Sequence, residues 1–226
     1  MDKNKIFRRE IYVSGLHLRE AENGQESRTI KGYAILFNSP SVVMMEDERE
    51  VVREKISPSA VTRELLDSSD FVMTMFHNNQ LVLARSKKGE GTLNYNIDER
   101  GVSFDFEAPN TADGDKAIEL VRRGDIDGCS FAFSTHYWDE DYVSCSSEIV
   151  DNKIVTTYSI DRITGIYDFT LTPNPAYPDT ECSCRELVEG MKERQQGNPS
   201  DLEKRAKEDA IKRQVAEMRE AAKIRI

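Results

Sequence analysis

Short apolar runs, several of them alternating with polar residues, recur along the chain as far as residue 171, and this pattern predicts strands. Prolines between residues 173 and 178 then stop the sheet, because proline cannot donate to a hydrogen-bonded ladder. Residues 93–97 and 102–106 are predicted to pair as a hairpin across the polar corner between them. The predicted strands cover residues 11–18, 29–37, 71–76, 81–84, 93–97, 102–106, 128–137 and 163–171.

Two short helices are predicted among these strands. Ser57 and Pro58 have the residue types of an N-cap and a first helical position, and apolar residues follow at helical spacing. Residues 113–123 have the pattern of an amphipathic helix, and Gly124 is suited to end it in the left-handed conformation. Together with the strands, these helices indicate an α+β fold.

The chain changes character after Thr180. Residues 181–196 and 201–226 are helix-forming and highly charged, and the break at 197–200 offers a fresh N-cap. Sparse apolar positions in the second segment fall at helical spacing, which leaves one narrow seam for a partner helix. A solvated tail with no partner fits the same pattern. We therefore predict two domains, residues 1–180 and a charged helical extension at 181–226.

Composition narrows the possible functions. The formal net charge of -10 argues against a nucleic-acid or membrane-surface role, because binding phosphate requires a basic face. No apolar run is long enough to cross a bilayer, and the N-terminus has no secretory pattern, so we expect a cytosolic site of action. The 226 residues include 38% hydrophobic and 32% charged residues, which is polar for a compact domain and agrees with a segment outside the core.

The sequence contains no motif for a metal or a cofactor. Cys182 and Cys184 form C-x-C without a nearby histidine, and Cys129 and Cys145 stand alone, so free thiols are expected. The phosphate-binding, dinucleotide-binding and H-E-x-x-H patterns are absent, as is the G-x-S-x-G of α/β-hydrolases. We expect the protein to work without a cofactor and without a metal ion.

Ser130 is a candidate nucleophile. In a strand over this segment, Ser130 and its neighbours Ala132 and Ser134 share one face, whereas Cys129, Phe131 and Phe133 share the other. The small side chains beside Ser130 leave room for a substrate to approach. A serine that is merely satisfied by the sheet fits the same pattern.

A serine nucleophile needs a base, because its free hydroxyl is too weakly acidic at neutral pH. The chain has three histidines, and His77 ends an apolar strand at a polar corner with two asparagines. His136 follows Ser130 by six residues, roughly 20 Å along an extended chain, and is too far to bond it. His17 belongs to an early strand. His77 is therefore the candidate base, with a purely structural histidine as the alternative.

Asp168 is the candidate third member of this group. It lies within an otherwise apolar strand, where Tyr167, Phe169 and Leu171 are expected to face the core and Asp168 the opposite side. A carboxylate in such a strand is costly unless it has a partner, and a histidine is a suitable one. An exposed carboxylate paired with a lysine or arginine is the alternative.

Six segments in one order resemble the prohead proteases of tailed phages, a family related in fold to assemblin, the herpesvirus capsid-maturation protease. The resemblance covers roughly residues 32–179. It includes FHNN around His77, the G-x-S-F-x-F strand around Ser130 after R-R-G-D, and the strand of Asp168 before PAYP. Many family members have Glu in place of Asp168, and assemblin uses a second histidine there. The segments are GYAILFN (32–38), EKISPSAV (54–61), MFHNNQLVLARS (75–86), DERGVSFDFEAPNT (98–111), ELVRRGDIDGCSFAF (119–133) and IYDFTLTPNPAYPDT (166–180).

The resemblance implies a fold and an activity. The expected fold is a mostly antiparallel, β-barrel-like protease core with a few surrounding helices. The expected activity is that of a serine endopeptidase with Ser130 as nucleophile, His77 as base and Asp168 as the acid. Its expected substrates are the scaffold protein or the scaffold-like segment of the major capsid protein, and then the protease itself.

The family also implies where the protein acts and with what. Cleavage would occur inside the assembling prohead in the host cytoplasm, with the capsid or scaffold protein and a second copy of the chain as partners. The extension at 181–226 would target the scaffold or be cut off, with 197–200 as a cleavage region. A non-enzymatic assembly protein with a protease-like fold is the main alternative, and a plain binding module is another.

Overall fold

A computed structural model of the chain describes residues 7–11, 16–19, 27–39, 43–173 and 207, and for residues 7–11 the backbone only. The predicted charged extension at 181–226 lies outside the described residues, apart from the single helical residue Lys207. The predicted domain boundary at residue 180 also lies outside them. That boundary and the helices of the extension therefore stay predictions.

The described part of the chain is built mainly from strands. Two α-helices, α1 (Arg63–Ser68) and α2 (Ala112–Arg123), and a 3-10 turn at Pro58–Ala60 accompany them. In chain order the strands are β1 (Phe7–Ile11), β2 (His17–Leu18), β3 (Thr29–Leu36), β4 (Met45–Glu46), β5 (Glu50–Ile56), β6 (Asp70–Met75), β7 (Asn78–Lys87), β8 (Glu90–Gly91), β9 (Leu93–Ile97), β10 (Gly101–Glu107), β11 (Gly128–Ser134), β12 (Val143–Val150), β13 (Lys153–Ile160) and β14 (Gly165–Thr172).

The strands form three sheets. Sheet A has the order β1-β11-β14-β6-β7-β8, sheet B the order β2-β3-β10-β9, and sheet C the order β12-β13-β5-β4. Neighbours in sheets A and B run antiparallel, except that β6 and β14 run parallel. The predicted hairpin is confirmed, since β9 pairs with β10 from Leu93 opposite Phe106 to Ile97 opposite Val102.

The predicted barrel-like core is wrong. Within the described residues the three sheets are open, and none of them closes into a barrel. Closing sheet A would require β1 to pair with β8, but β8 has only two residues and cannot supply a complete ladder. The broader prediction of a mostly β, α+β protein agrees with the structure.

The described residues fall into two compact units. The first contains sheets A and B, with both helices, and its described residues lie up to 39 and in 56–136 and 160–173. The second contains sheet C, apart from the last residues of β5 and β13, and its described residues include 43–55 and 137–159. None of the helices in the described part of the chain is long and apolar enough to span a bilayer.

Aromatic residues fill the core of the first unit. Phe131 and Phe133, two residues apart on β11, face the same side and stack with ring centroids 5.0 Å apart. Phe169 of β14 packs against Phe71 of β6 at 4.9 Å between centroids. All four side chains are buried. The predicted core face of β11 is therefore confirmed for its phenylalanines.

A β-bulge alters the predicted faces of β14. The register between β11 and β14 shifts between Ala132 and Phe133, so that Phe133 pairs with Ile166 and Ala132 with Asp168. Tyr167 is the extra residue. Because a bulge adds one residue to one strand, the alternation of faces shifts there. The prediction that Tyr167 faces the core is wrong, since its side chain is exposed and Ile166 is buried instead.

The segment after β5 also differs from its prediction. Pro58 opens a 3-10 turn, but the Ser57 hydroxyl does not cap it and donates to the carboxylate of Asp161. The α-helix begins later, at α1, where the hydroxyl of Thr62 accepts from the Leu65 N–H. Thr62 therefore has the capping function that the sequence pattern assigned to Ser57.

Helix α2 follows its prediction closely. The hydroxyl of Thr111 accepts from the Gly114 N–H at the start of the helix, and acidic residues occupy the first turn. Gly124 ends the helix with a φ of 74°, in the left-handed region that glycine enters without a steric penalty. The helix at 113–123 and its end at Gly124 are confirmed.

Candidate active site

Ser130 lies on β11, the second strand of sheet A, between β1 and β14. It pairs with Glu10 of β1 on one side and with Thr170 of β14 on the other. Both edges of its strand are hydrogen-bonded, so the backbone around the hydroxyl is held firmly. The Ser130 residue has no exposed surface.

His77 lies in the tight turn that joins β6 and β7. The turn consists of Phe76 and His77 and closes on the pair Met75 and Asn78. Both turn residues have positive φ, 58° and 51°, which suits a two-residue hairpin but costs an L-residue about 1–2 kcal/mol. The predicted polar corner at 77–79 is therefore shifted by one residue, because Asn78 already belongs to β7.

Two hydrogen bonds from the backbone of this turn reach β14. The Phe76 N–H donates to the carbonyl of Leu171 at 3.1 Å, and the His77 N–H donates to the hydroxyl oxygen of Thr170 at 2.9 Å. In an isolated hairpin these two N–H groups would point away from the partner strand and would form hydrogen bonds only with water. Here the parallel neighbour of β6 binds both, which stabilises the strained turn.

Asp168 lies on β14 two residues before Thr170, so the two side chains share a face. Its oxygen Oδ1 is 2.7 Å from Nδ1 of His77. The Asp168 side chain is 9% exposed and that of His77 15%, so the contact is largely shielded from water. The alternative of an exposed carboxylate paired with a lysine or arginine does not fit this burial.

Nε2 of His77 is 2.8 Å from Oγ of Ser130. Asp168, His77 and Ser130 therefore form a continuous row of hydrogen-bonded side chains, the contact row. A carboxylate only accepts hydrogen bonds, so Nδ1–H donates to Asp168 when the imidazole is neutral. Nε2 then carries the lone pair and accepts from the Ser130 hydroxyl. This is the hydrogen-bonding order in which an imidazole can remove the proton of a serine.

Two further polar residues, Thr170 and Thr74, which no motif in the sequence singled out, form a hydrogen-bonded chain with the backbone of His77. The Thr170 hydroxyl oxygen also accepts from the Thr74 hydroxyl at 2.9 Å, and both residues are completely buried. Thr170 follows Asp168 by two residues, so the alternation of strand faces contained a signal for it. No sequence pattern connected it with the backbone of His77.

The other two histidines lie elsewhere. His17 is on β2 of sheet B, opposite Lys31. His136 follows the end of β11, six residues beyond Ser130. Both ring nitrogens of His77 already have partners, Asp168 and Ser130. An arrangement with a second histidine in the third position, as in assemblin, therefore does not match the contacts.

The thiol next to Ser130 is unsuited to nucleophilic attack. Cys129 is completely buried, and this burial raises the pKa of its thiol to about 12. The negative charge of Asp168 raises it further. The thiolate, which is the reactive form, is therefore nearly absent at neutral pH. No group of histidine, cysteine or acidic side chains among the described residues is arranged to hold a metal ion.

The model of one protein family, described as caudovirus prohead serine protease, matches residues 14–194. This match covers most of the 226 residues. The chain belongs to the caudovirus prohead serine protease family. The matched region includes Ser130, His77 and Asp168, so the contact row lies within the part of the chain that is typical of these proteases. The predicted resemblance to prohead proteases is thereby confirmed.

The other comparisons add no relative. We found no match among curated proteins and none among solved structures. The fold relation to assemblin therefore stays a prediction. Membership of the prohead protease family indicates a serine peptidase with a function in capsid maturation.

Proposed function

We propose that the chain is a serine endopeptidase in which Ser130 attacks, His77 acts as base and then acid, and Asp168 orients the imidazole. The observation that supports this is the continuous row of contacts at 2.7 Å and 2.8 Å from Asp168 through His77 to Ser130. Family membership supports the same reaction class.

The proposed reaction is acyl transfer in two stages. Nε2 of His77 takes the Ser130 proton while Oγ bonds to the peptide carbonyl carbon. The imidazolium then returns the proton to the leaving amine as the peptide bond breaks, which leaves an acyl ester on Ser130. Water repeats the sequence on the ester and restores the serine. The charge of Asp168 stabilises the imidazolium in both stages.

The burial of Ser130 adds a condition to this mechanism. A peptide carbonyl must come within bonding distance of Oγ, but the residue has no exposed surface in this structure. Part of the chain around the hydroxyl must therefore move before acylation.

The proposed substrates are the scaffold protein, or the scaffold-like segment of the major capsid protein, followed by the protease itself. Family membership in the prohead proteases supports capsid or scaffold proteins as partners. Cleavage would then take place inside the assembling prohead in the host cytoplasm. Concentrating the chain in the shell would also favour a homodimer by mass action.

The charged extension at 181–226 is proposed to bring the protease into the shell by helical contact with scaffold or capsid protein. Its test is a chain that ends after Thr180. We expect this chain to be missing from proheads formed in infected cells, while the full-length chain is incorporated. Equal incorporation of the two chains, measured by immunoblot of purified proheads, would refute a targeting function.

The proposed nucleophile is tested with a fluorophosphonate probe, which reacts preferentially with an activated serine. We expect peptide mass spectrometry to locate the adduct on Ser130, and we expect Ser130→Ala and His77→Ala to remove it. Ser86→Ala is the matched control, because Ser86 is also a completely buried serine of sheet A. Labelling of another residue, with Ser130 unmodified, would contradict the assignment.

Cleavage itself is tested by co-expression with the phage capsid and scaffold proteins. The wild-type chain should produce shortened capsid or scaffold species and a shortened form of itself. Ser130→Ala should leave every mass at full length. Identical masses for wild type and variant would refute protease activity and favour the non-enzymatic assembly protein.

A further inference from the structure

We propose that Thr170 is a positioning residue that holds the backbone of His77 so that the imidazole stays within bonding distance of Ser130. This inference rests on the proposed function of His77 as the base. It concerns the main-chain contact beneath the histidine, which is separate from the contact between the ring and Asp168.

His77 needs such an anchor because its turn is strained. Phe76 and His77 are both L-residues with positive φ, and a bulky aromatic residue in that region is unusual. Turns of this type normally contain Asn or Gly, which the chain does not provide at these two positions. A strained conformation persists only where its surroundings hold it. The hydrogen bond of 2.9 Å from the His77 N–H to Thr170 is one of the contacts that do so.

The anchor and the orienting carboxylate come from the same face of one strand. Thr170 binds the main chain of His77, and Asp168, two residues earlier, binds its ring. Two points of contact fix both the position and the rotation of the imidazole. Thr170 is also the direct register partner of Ser130. Thr170, which anchors the base, and Ser130, the nucleophile, therefore lie opposite each other on adjacent strands. The spacing between paired strands is nearly constant, so the distance between these two residues is fixed.

The properties of Thr170 fit this function. Its hydroxyl oxygen accepts from both the partly buried His77 N–H and the buried Thr74 hydroxyl, so two donors depend on it. The residue has no exposed surface, so water is not available to replace the oxygen. Its β-branched side chain restricts rotation about χ1, which keeps the oxygen in place.

The test replaces Thr170 by Val, which has nearly the same shape but no oxygen. We expect the maximal rate of fluorophosphonate labelling at Ser130 to fall by about 100-fold, because a displacement near 1 Å has an effect of that order. The concentration of probe that gives half-maximal rate should stay the same. Thr170→Ser restores the oxygen and should recover labelling to within about 3-fold of wild type.

Thr172→Val is the matched control, because Thr172 is a buried threonine on the same face of β14 but outside the contacts of His77. It should label at the wild-type rate. A wild-type rate for Thr170→Val, or equal losses for Thr170→Ser and Thr170→Val, would overturn the proposal. If the valine variant does not fold, Thr170→Ala removes the same oxygen with a smaller side chain and carries the same expectation.

Hydrogen exchange of the His77 amide gives a readout that does not depend on activity. Loss of its acceptor in the valine variant should speed exchange of this amide by at least about 10-fold, while that of Thr172→Val stays at the wild-type rate. Unchanged exchange in the valine variant would refute the anchor even if labelling fell. If wild-type protein is not labelled at all, the proposed function fails, whereas the exchange result still decides the anchoring contact.

Discussion

The carboxylate of Asp168 reaches His77 although aspartate is one methylene shorter than glutamate. It does so because β14 is the parallel neighbour of β6, the strand that carries the turn of His77. Asp168 pairs with Val72, and the turn begins only four residues later on that strand. The sheet therefore brings the short side chain within 2.7 Å of Nδ1.

Replacing Asp168 by Asn should lower the rate of probe labelling at Ser130 by about 10³- to 10⁴-fold. The amide lacks the charge that stabilises the imidazolium, and its NH₂ group can stabilise the wrong tautomer of the ring. Asp168→Glu keeps the charge and should react faster than the asparagine variant. Labelling kinetics with near-UV circular dichroism as a folding control provide the measurement. Equal rates for wild type and Asp168→Asn would eliminate Asp168 from the mechanism.

The two described cysteines should differ sharply in reactivity. Cys145 is exposed, whereas Cys129 is buried with its pKa raised to about 12. We expect iodoacetamide at pH 8 to modify Cys145 in the native protein and to modify Cys129 only after denaturation, as measured by peptide mass spectrometry. Because the folded state retains the Cys129 proton between its unfolded pKa of 9.0 and about 12, this group lowers stability as pH rises through that interval.

For individual residues, the sequence was enough to predict the three side chains of the contact row. It was not enough to predict the residues and hydrogen bonds that surround them. Strand alternation separated Ser130 from the phenylalanines, and the resemblance selected His77 and Asp168. The positive φ of Phe76 was beyond prediction, because a bulky aromatic residue rarely adopts that region. The contact of Thr170 with a main-chain N–H was also hidden, since it depends on how two distant strands pair.

At the scale of the elements, helix α2 contains one glycine and ends at another, and the two positions need glycine for different reasons. A Cβ on Gly114 would lie 2.0 Å from the carbonyl oxygen of Pro109, which is backbone and cannot move aside easily. A Cβ on Gly124 would meet no atom within 4 Å, so only its positive φ would be unfavourable.

Gly114→Ala should therefore lower the free energy of unfolding by about 3 kcal/mol or more, through overpacking against backbone. Gly124→Ala should lower it by about 1 kcal/mol, the usual cost of a left-handed alanine. Urea denaturation followed by circular dichroism measures both values. The steric interpretation would be wrong if the two variants had equal stability or if Gly124→Ala were the less stable one.

Elements with strong local signals were predictable, and those that depend on register were not. The amphipathic period and Gly124 defined α2 from its own residues. The bulge at Tyr167 has no such signal, because it arises from the pairing of β14 with β11 rather than from the residue itself. Strict alternation of side chains along β14 therefore placed Tyr167 on the core face, whereas the bulge leaves it exposed.

At the scale of the whole molecule, the candidate active site lies entirely within the first unit. Every member of the contact row and its threonine support belongs to the first unit. Sheet C of the second unit was largely missed, because β5, β12 and β13 mix polar and apolar residues without a clear period. Glu54 of β5 illustrates this, since a glutamate normally indicates exposure but here is only 1% exposed.

Glu54 is buried in the second unit together with a hydrogen-bond partner, and this hydrogen bond can be tested by mutation. The hydroxyl of Tyr137 donates to its carboxylate at 2.5 Å, and Tyr137 is equally buried. A hydrogen bond to a buried charged group contributes about 1.5–3 kcal/mol. Tyr137→Phe should therefore lower the free energy of unfolding by about 2 kcal/mol. The rate of probe labelling at Ser130 in the folded protein should not change, because the site lies in the first unit.

Tyr33 provides the matched control, because its hydroxyl also donates to a carboxylate, that of Asp98 at 2.7 Å, but in an exposed position. The bond raises the pKa of Tyr33 and lowers that of Asp98, yet water can replace either partner. Tyr33→Phe should therefore cost much less than Tyr137→Phe in urea denaturation. Equal losses would mean that burial does not determine the strength of the Glu54 contact. A change in labelling with Tyr137→Phe would mean that the hydrogen bond of Glu54 influences the contact row of Ser130, His77 and Asp168.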